Sequence, residues 1–223
     1  MRDKGNGDKG NGGEPREMPR VRDMPAPRKS EGAAGGAVAW IFQWPYRSIL
    51  AFLLWTGVRP WQLTLLSPVF IAGSGVLILA GQWLAAGGAL LVGSLCDVFD
   101  GSVARHRGEV KRSGAFMDSV IDRLADALLF ACLFWSFAER EQSVEALLSL
   151  VTLIVSLGVS YVRAEAEAAG VTLTEGLFQR TERMIAMMLG LVVPGAMLPM
   201  LLVLTVLGTF TFVQRSFSAL RGA

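Results

Sequence analysis

Apolar runs of near-uniform length, each closed by charge or by a turn signal, organise the chain from residue 64 onward. They fall at about 64 to 80, 82 to 104, 114 to 137, 143 to 162, 178 to 193 and 197 to 214. Each is near the ~20 residues that carry a helix across a bilayer, although the last two are short. Pro194, Gly195 and Pro199 divide that final pair, because about thirty apolar residues would overshoot a membrane as a single helix. The pattern predicts an all-α polytopic membrane protein with six transmembrane helices over 64–216 and a short cytoplasmic tail at 217–223.

Ahead of the spans, Trp40 to Trp61 mixes aromatic and aliphatic residues with Arg47 and Arg59. This predicts a juxtamembrane helix over 38–63 lying in the membrane interface, with a short loop as the alternative. Residues 1–37 are rich in Gly, Pro and charge and contain a near-repeat, Lys4–Asp8 followed by Lys9–Gly13. Such a segment buries too little apolar surface to offset its ordering entropy, so a disordered tail is expected. No apolar stretch with a small-residue cleavage site follows its basic residues, which predicts that this end stays cytoplasmic.

Charge supports the same topology independently of hydropathy. With the tail inside, Arg105, Arg107, Lys111, Arg112, Arg163, Arg180, Arg183, Arg215 and Arg221 lie on the cytoplasmic side, and Arg140 alone stands in an outer loop. That asymmetry follows the positive-inside rule and places both termini in the cytoplasm of a cell-membrane protein. Composition agrees: 52% of the 223 residues are hydrophobic and the mean hydropathy is +0.45. A net charge of +2, with no Lys/Arg stripe interleaved with aromatics, argues against nucleic acid as a partner. Cys96 and Cys132 lie in apolar runs without metal-ligand spacing, which fits packing residues.

Four aspartates interrupt this apolar background. Asp97 and Asp100 are three apart at the end of the second run, and Asp118 and Asp122 are four apart at the start of the third. Each pair shares one helix face, so two antiparallel helices joined by the intervening basic loop bring four carboxylates to one depth. Carboxylates beside lipid call for a partner or a function. A histidine-free oxygen set favours Mg²⁺ or Mn²⁺ and suits a pyrophosphate, whose charge two such ions would neutralise. The structural alternative is ion pairing with Arg105, Arg107 or Arg123. Gly101 and Gly114 lack a Cβ and admit either a ligand or a packed helix.

Asp97 through Asp122 satisfies every fixed position of D-x2-D-G-x2-A-R-x8-G-x3-D-x3-D, eight residues over 26 positions. In this the chain resembles the CDP-alcohol phosphatidyltransferase family. The resemblance implies a six-helix membrane fold, usually a homodimer, that transfers the phosphatidyl group of CDP-diacylglycerol with release of CMP. It implies a two-metal site on Asp97, Asp100, Asp118 and Asp122, with Asp122 as general base, and a frame for the CDP group from Gly101, Ala104, Arg105 and Gly114. A base of low intrinsic pKa beside metal contributes less than positioning and charge do.

Beyond that signature, Ser160–Gly170 reads S-Y-x-R-A-x-A-E-A-x-G, Gly176–Arg183 reads G-x-x-x-R-x-E-R, and Gln214-Arg215 follows. Arg163, Arg183 and Arg215 fall at the cytoplasmic ends of three different runs, where they serve either as membrane anchors or as a pocket for a phosphate on the acceptor. These stretches resemble the branch of the family making phosphatidylinositol phosphate, which implies that the three bind the phosphate of a small polyol acceptor, inositol phosphate before glycerol 3-phosphate. Glu165 departs from that branch, which often has Arg there. His106 fits a solvated loop, and Asp126 continues the Asp118/Asp122 face by one turn, able to orient a ligand or to pair with Arg123 or another helix.

A membrane prenyltransferase would carry an Asn-Asp pair and a distant second aspartate motif, whereas here only 17 residues separate Asp100 from Asp118. An ion transporter would need polar residues through the outer half of the membrane, and those halves are almost uniformly apolar.

Overall fold

A computed structural model of the protein describes residues 19–25, 35–109, 112–171, 173 and 180–222. Among them the chain is helical, with no strand and seven α-helices: α1 Gly35–Thr56, α2 Pro60–Leu79, α3 Trp83–Arg107, α4 Arg112–Ala138, α5 Ser143–Ala168, α6 Arg180–Val192 and α7 Met197–Gly222. Four of these, α2, α3, α5 and α7, are long and apolar enough to cross a membrane. Only about a third of each such stretch is buried inside the protein. Outward-facing Leu65, Val69, Val76, Leu84, Leu147, Ile154, Val206 and Phe210 are all more than half exposed. A water-soluble bundle does not present so much continuous apolar surface, and the chain is a multi-pass membrane protein.

Helix packing closes a ring. α2 packs on α3 and on α4, α3 on α6, α6 on α7, α7 on α5, and α5 on α4. One apolar core fills it with side chains from all six helices, among them Ile78, Leu90, Leu129, Ala146, Met187 and Leu204. Hydroxyls lock neighbouring helices across lipid-like surroundings. Ser74 Oγ donates to Ala86 O at 2.8 Å between α2 and α3, and Thr152 and Thr205 share a 2.8 Å bond between α5 and α7. The α2/α3 seam is close enough to exclude side chains: a Cβ on Gly93 would lie 3.1 Å from the Ser67 carbonyl oxygen and 2.9 Å from Ile71 Cγ1.

The elements divide differently from the expected boundary at 63/64. α1 ends at Thr56 and α2 starts at Pro60, because Gly57 turns into the left-handed region at φ 75° and Pro60 suits the first helical turn. Residues 217–222, expected as a tail, continue α7. Most of the expected disordered segment lies outside the described residues. Within it, Val21–Asp23 form a 3-10 turn, and Met24 is buried in a second cluster with Tyr46, Leu50, Leu63 and Phe99, so an apolar pair, Val21 and Met24, gives this stretch the anchor that composition alone concealed.

The close α2/α3 seam is testable by paired substitutions. Gly93→Ala must push α2 away and is expected to destabilise by about 1–3 kcal/mol. Gly88→Ala, five residues earlier on α3, meets nothing within 4 Å and should gain ~0.5–1 kcal/mol from helix propensity. Thermal melts in detergent report both, and equal behaviour of the two variants would refute the seam.

Candidate functional site

The inner end of α3 projects beyond its apolar stretch as a polar turn that carries Asp97 and Asp100, and it stops at Gly108. There φ is 69° and Glu109 N–H reaches back to the Ala104 carbonyl at 2.9 Å, a Schellman-type end that only glycine adopts without strain. α4 begins a few residues later and presents Asp118 and Asp122 in its early turns. The two helices do not pack along each other; α2 contacts both, so their inner ends face one another across a gap. Carboxylate oxygens of Asp97, Asp118 and Asp122 lie within 4.8 Å of one another in that gap. Asp100, 8% exposed, is outside this tight group, in the electrostatic reach of Asp97 and Asp118 and beside Thr64 of α2.

This donor set fits Mg²⁺ or Mn²⁺: all donors are hard carboxylate oxygens, and Asp122 Oδ1 is buried without a hydrogen bond. Its charge is met by a residue that sequence reading counted only among the cytoplasmic cations. Arg180, the first residue of α6, donates from Nη1 to Asp97 Oδ2 at 2.6 Å and sets Nη2 2.6 Å from Asp122 Oδ1. The expected alternative partners act elsewhere. Arg123 bonds the Ser119 carbonyl at 2.6 Å, and Arg105 bonds Ser102 Oγ at 3.0 Å. The signal for Arg180 was its place three residues before Arg183, on the same helix face.

Asp122 and Arg180 also wall a cavity of about 340 Å³ whose other lining groups include Asp126, Arg163, Arg183 and Arg215. The three arginines singled out in the sequence thus meet beside the carboxylates, from the ends of α5, α6 and α7. Arg183 and Arg215 are only 7% and 4% exposed, whereas a membrane anchor keeps its head in water. Arg163 is half-exposed and pairs with Glu167 at 2.9 Å. Asp126, whose partner the sequence left open, is 3% exposed and holds Arg183 Nη2 at 2.8 Å while accepting a bond from Ser156 at 3.0 Å. The Nε groups of Arg180 and Arg183 are buried and unbonded, donors suited to an anion.

Around the α3 end, Tyr46 of α1 donates to Ser102 Oγ at 2.8 Å and stacks on Phe99. Ser102 in turn holds Arg105, whose guanidinium folds back so that a Cβ on Gly101 would lie 3.0 Å from Nη1. Gly101 therefore accommodates Arg105. Ala104 is half-buried on the same turn, and Gly114 faces open space with nothing near its missing Cβ. His106 is exposed, in the last turn of α3 rather than in a loop.

A model of the CDP-alcohol phosphatidyltransferase family matches residues 58–213. A phosphatidylinositol phosphate synthase of Corynebacterium glutamicum is 37% identical over 147 residues, covering 64% of this chain and 66% of that protein. An archaetidylinositol phosphate synthase of Pyrococcus horikoshii is 36% identical over 166 residues, 73% of this chain and 84% of that one. An uncharacterized Aquifex aeolicus protein is 41% identical over 128 residues; the chain spans 65% of its length, slightly under two thirds, as it does for the Corynebacterium protein. The crystal structure of Mycobacterium tuberculosis phosphatidylinositol phosphate synthase with CDP-DAG bound superposes with a TM-score of 0.68 at 31% identity, covering 77% of this chain and 92% of that one. A second structure of that protein, with a TM-score of 0.68, is in complex with manganese and citrate.

The buried Asp126–Arg183 pair makes a stability prediction. Removing one partner strands a buried charge, so Asp126→Leu or Arg183→Met is expected to destabilise by about 3–5 kcal/mol, while the double variant costs clearly less than either. Denaturation of the three proteins in detergent measures the coupling, and additive losses would deny it.

Proposed function

The chain belongs to the CDP-alcohol phosphatidyltransferase family, and on that premise we propose that it moves the phosphatidyl group of CDP-diacylglycerol to a small phosphorylated polyol, inositol phosphate, releasing CMP for phospholipid biosynthesis. The observation that carries this reading is one cavity shared by Asp122 and the arginines 163, 183 and 215, because it sets a phosphate-sized anion site directly beside the carboxylates. A neutral alcohol acceptor would make no use of three guanidiniums gathered on one cavity.

In this reading the acceptor phosphate is held by Arg163, Arg183 and Arg215, with Asp126 fixing the angle of Arg183. Its hydroxyl is thereby aimed at the lipid-bearing phosphorus, and Asp122 receives the hydroxyl proton as the new P–O bond forms and the bond to CMP breaks. Asp97, Asp100 and Asp118, with Asp122, would hold the metal; bound as a pair, Mg²⁺ or Mn²⁺ supplies charge neutralisation at the pyrophosphate and at departing CMP. Gly101, Ala104, Arg105 and Gly114 frame the CDP group. In this reading the membrane domain is six spans over 64–216, to which α4 and α6 would contribute beside the four long apolar helices, preceded by a tail at 1–37 and an interfacial segment at 38–63 and followed by 217–223. The site and both termini are cytoplasmic, and family resemblance supports a homodimer. Glycerol 3-phosphate is the second acceptor reading, favoured by Glu165 standing where the inositol phosphate branch often has Arg.

Two measurements test this. CMP release from CDP-diacylglycerol is followed with inositol phosphate, glycerol 3-phosphate, inositol and serine in turn. Inositol phosphate is expected to be the efficient acceptor, and efficient use of unphosphorylated inositol or serine would overturn the proposal. Arg163→Ala, exposed and so harmless to the fold, should raise the acceptor KM about tenfold or more, as expected for one lost charge-assisted bond of ~1.5–3 kcal/mol, with little change for the CDP-lipid. The carboxylates are tested separately. Asp118→Asn should abolish activity at any metal concentration tried, whereas Asp122→Asn should lower kcat with metal binding largely retained. Full turnover by either variant would remove it from the site.

A further inference from the structure

Arg180 stands at a junction. Its two terminal nitrogens are each 2.6 Å from a carboxylate that the reading above assigns to metal, and the same side chain lines the neighbouring cavity. We propose that Arg180 is an exchangeable counter-ion: its guanidinium and the divalent ion compete for the oxygens of Asp97 and Asp122, and metal binding turns the guanidinium toward the cavity as a further donor to the acceptor phosphate. The proposal rests on the metal reading of the aspartates.

Three features support exchange rather than a fixed structural bridge. The side chain is 27% exposed, against 9% for Arg183 in its pair with Asp126, so Arg180 is the less enclosed of the two. The same side chain already lines the neighbouring cavity, so the guanidinium has a second polar place to turn to. Its two terminal nitrogens are divided between Asp97 and Asp122, so neither carboxylate receives the parallel two-bond pairing that holds a guanidinium most firmly. Against three clustered carboxylates a single positive charge is also a weaker match than a divalent ion in direct oxygen coordination.

Competition has a quantitative signature. If the guanidinium holds the oxygens about nine-tenths of the time, it raises the apparent dissociation constant for metal about tenfold, because only the open fraction is competent to bind. A distant positive charge acts only through a screened field and does much less. Arg123 lines the same cavity but is tied to Ser119 O, which makes it the matched control.

The test uses the full chain purified in detergent, titrated with Mn²⁺ while the free-ion electron paramagnetic resonance signal is followed. Arg180→Ala and Arg180→Gln are expected to bind Mn²⁺ about tenfold tighter than wild type, and Arg123→Ala less than about twofold tighter. Unchanged or weaker binding in both Arg180 variants, or equal tightening by Arg123→Ala, overturns the proposal. Wild type supplies a readout free of substitutions: phenylglyoxal labelling of Arg180, mapped by mass spectrometry, should rise several-fold on adding Mn²⁺, and unchanged or reduced labelling would contradict the exchange. Failure of wild type to bind Mn²⁺ at all would overturn the metal reading itself, whereas binding with no effect of Arg180 overturns only the competition.

Discussion

Carboxylates from α3 and α4 crowd within 4.8 Å of each other at the inner end of a largely lipid-exposed bundle. Negative charge at that density repels itself and is costly beside hydrocarbon, so the arrangement persists only where cations are supplied from elsewhere in the fold. α6 supplies them. Arg180 meets Asp97 and Asp122, and Arg183 meets Asp126 one turn deeper. Since α4 and α6 are not neighbours in the ring of helices, the pairs with Asp122 and Asp126 run across the interior of the bundle, while that with Asp97 joins the neighbours α3 and α6. The ring therefore closes around an ionic axis on its inner side and an apolar core on the other.

That polarity explains how the same helices serve as membrane spans and as a phosphate site. Over most of their length they lock together by close approach and hydroxyl bonds, as at Gly93 and Ser74. α3 and α4 do not pack on one another, and α2 lies against both, which leaves a gap between the ends that carry the aspartates. The gap is the site, and the arginines of α5, α6 and α7 border it.

Much of this was legible in the sequence. Hydropathy located six of the seven helices, because lipid demands a continuous apolar run with its backbone bonds satisfied internally, although α5 and α7 run six and eight residues past their apolar stretches into polar sequence. The aspartates were legible because charge in such a run is rare, and their spacing put each pair on one helix face. Arg180 was not legible as their partner: the expected topology grouped it with eight other cations, and nothing in the sequence alone says which of them reaches the aspartates. Asp126 was visible as one more turn of the acidic face, but its pairing with Arg183 rather than the adjacent Arg123 depends on the rotation of α6, a tertiary fact. The break at Gly57 and the anchoring of Met24 were hidden because they rest on a backbone angle and on one buried side chain, which composition averages away.

The ring order has a consequence for biosynthesis. α2/α3, α4/α5 and α6/α7 are three helical hairpins, each pair adjacent in the ring. A ribosome delivers them in that sequence, so all four aspartates and Asp126 emerge before Arg180, Arg183 and Arg215 exist. During that interval the nascent chain carries the acidic cluster without the arginines that pair with it in the finished fold. Docking of the third hairpin both completes the ring and brings those arginines to the cluster. A truncated chain ending before α6 would thus lack both the closing wall of the ring and the arginines that pair with the acidic cluster.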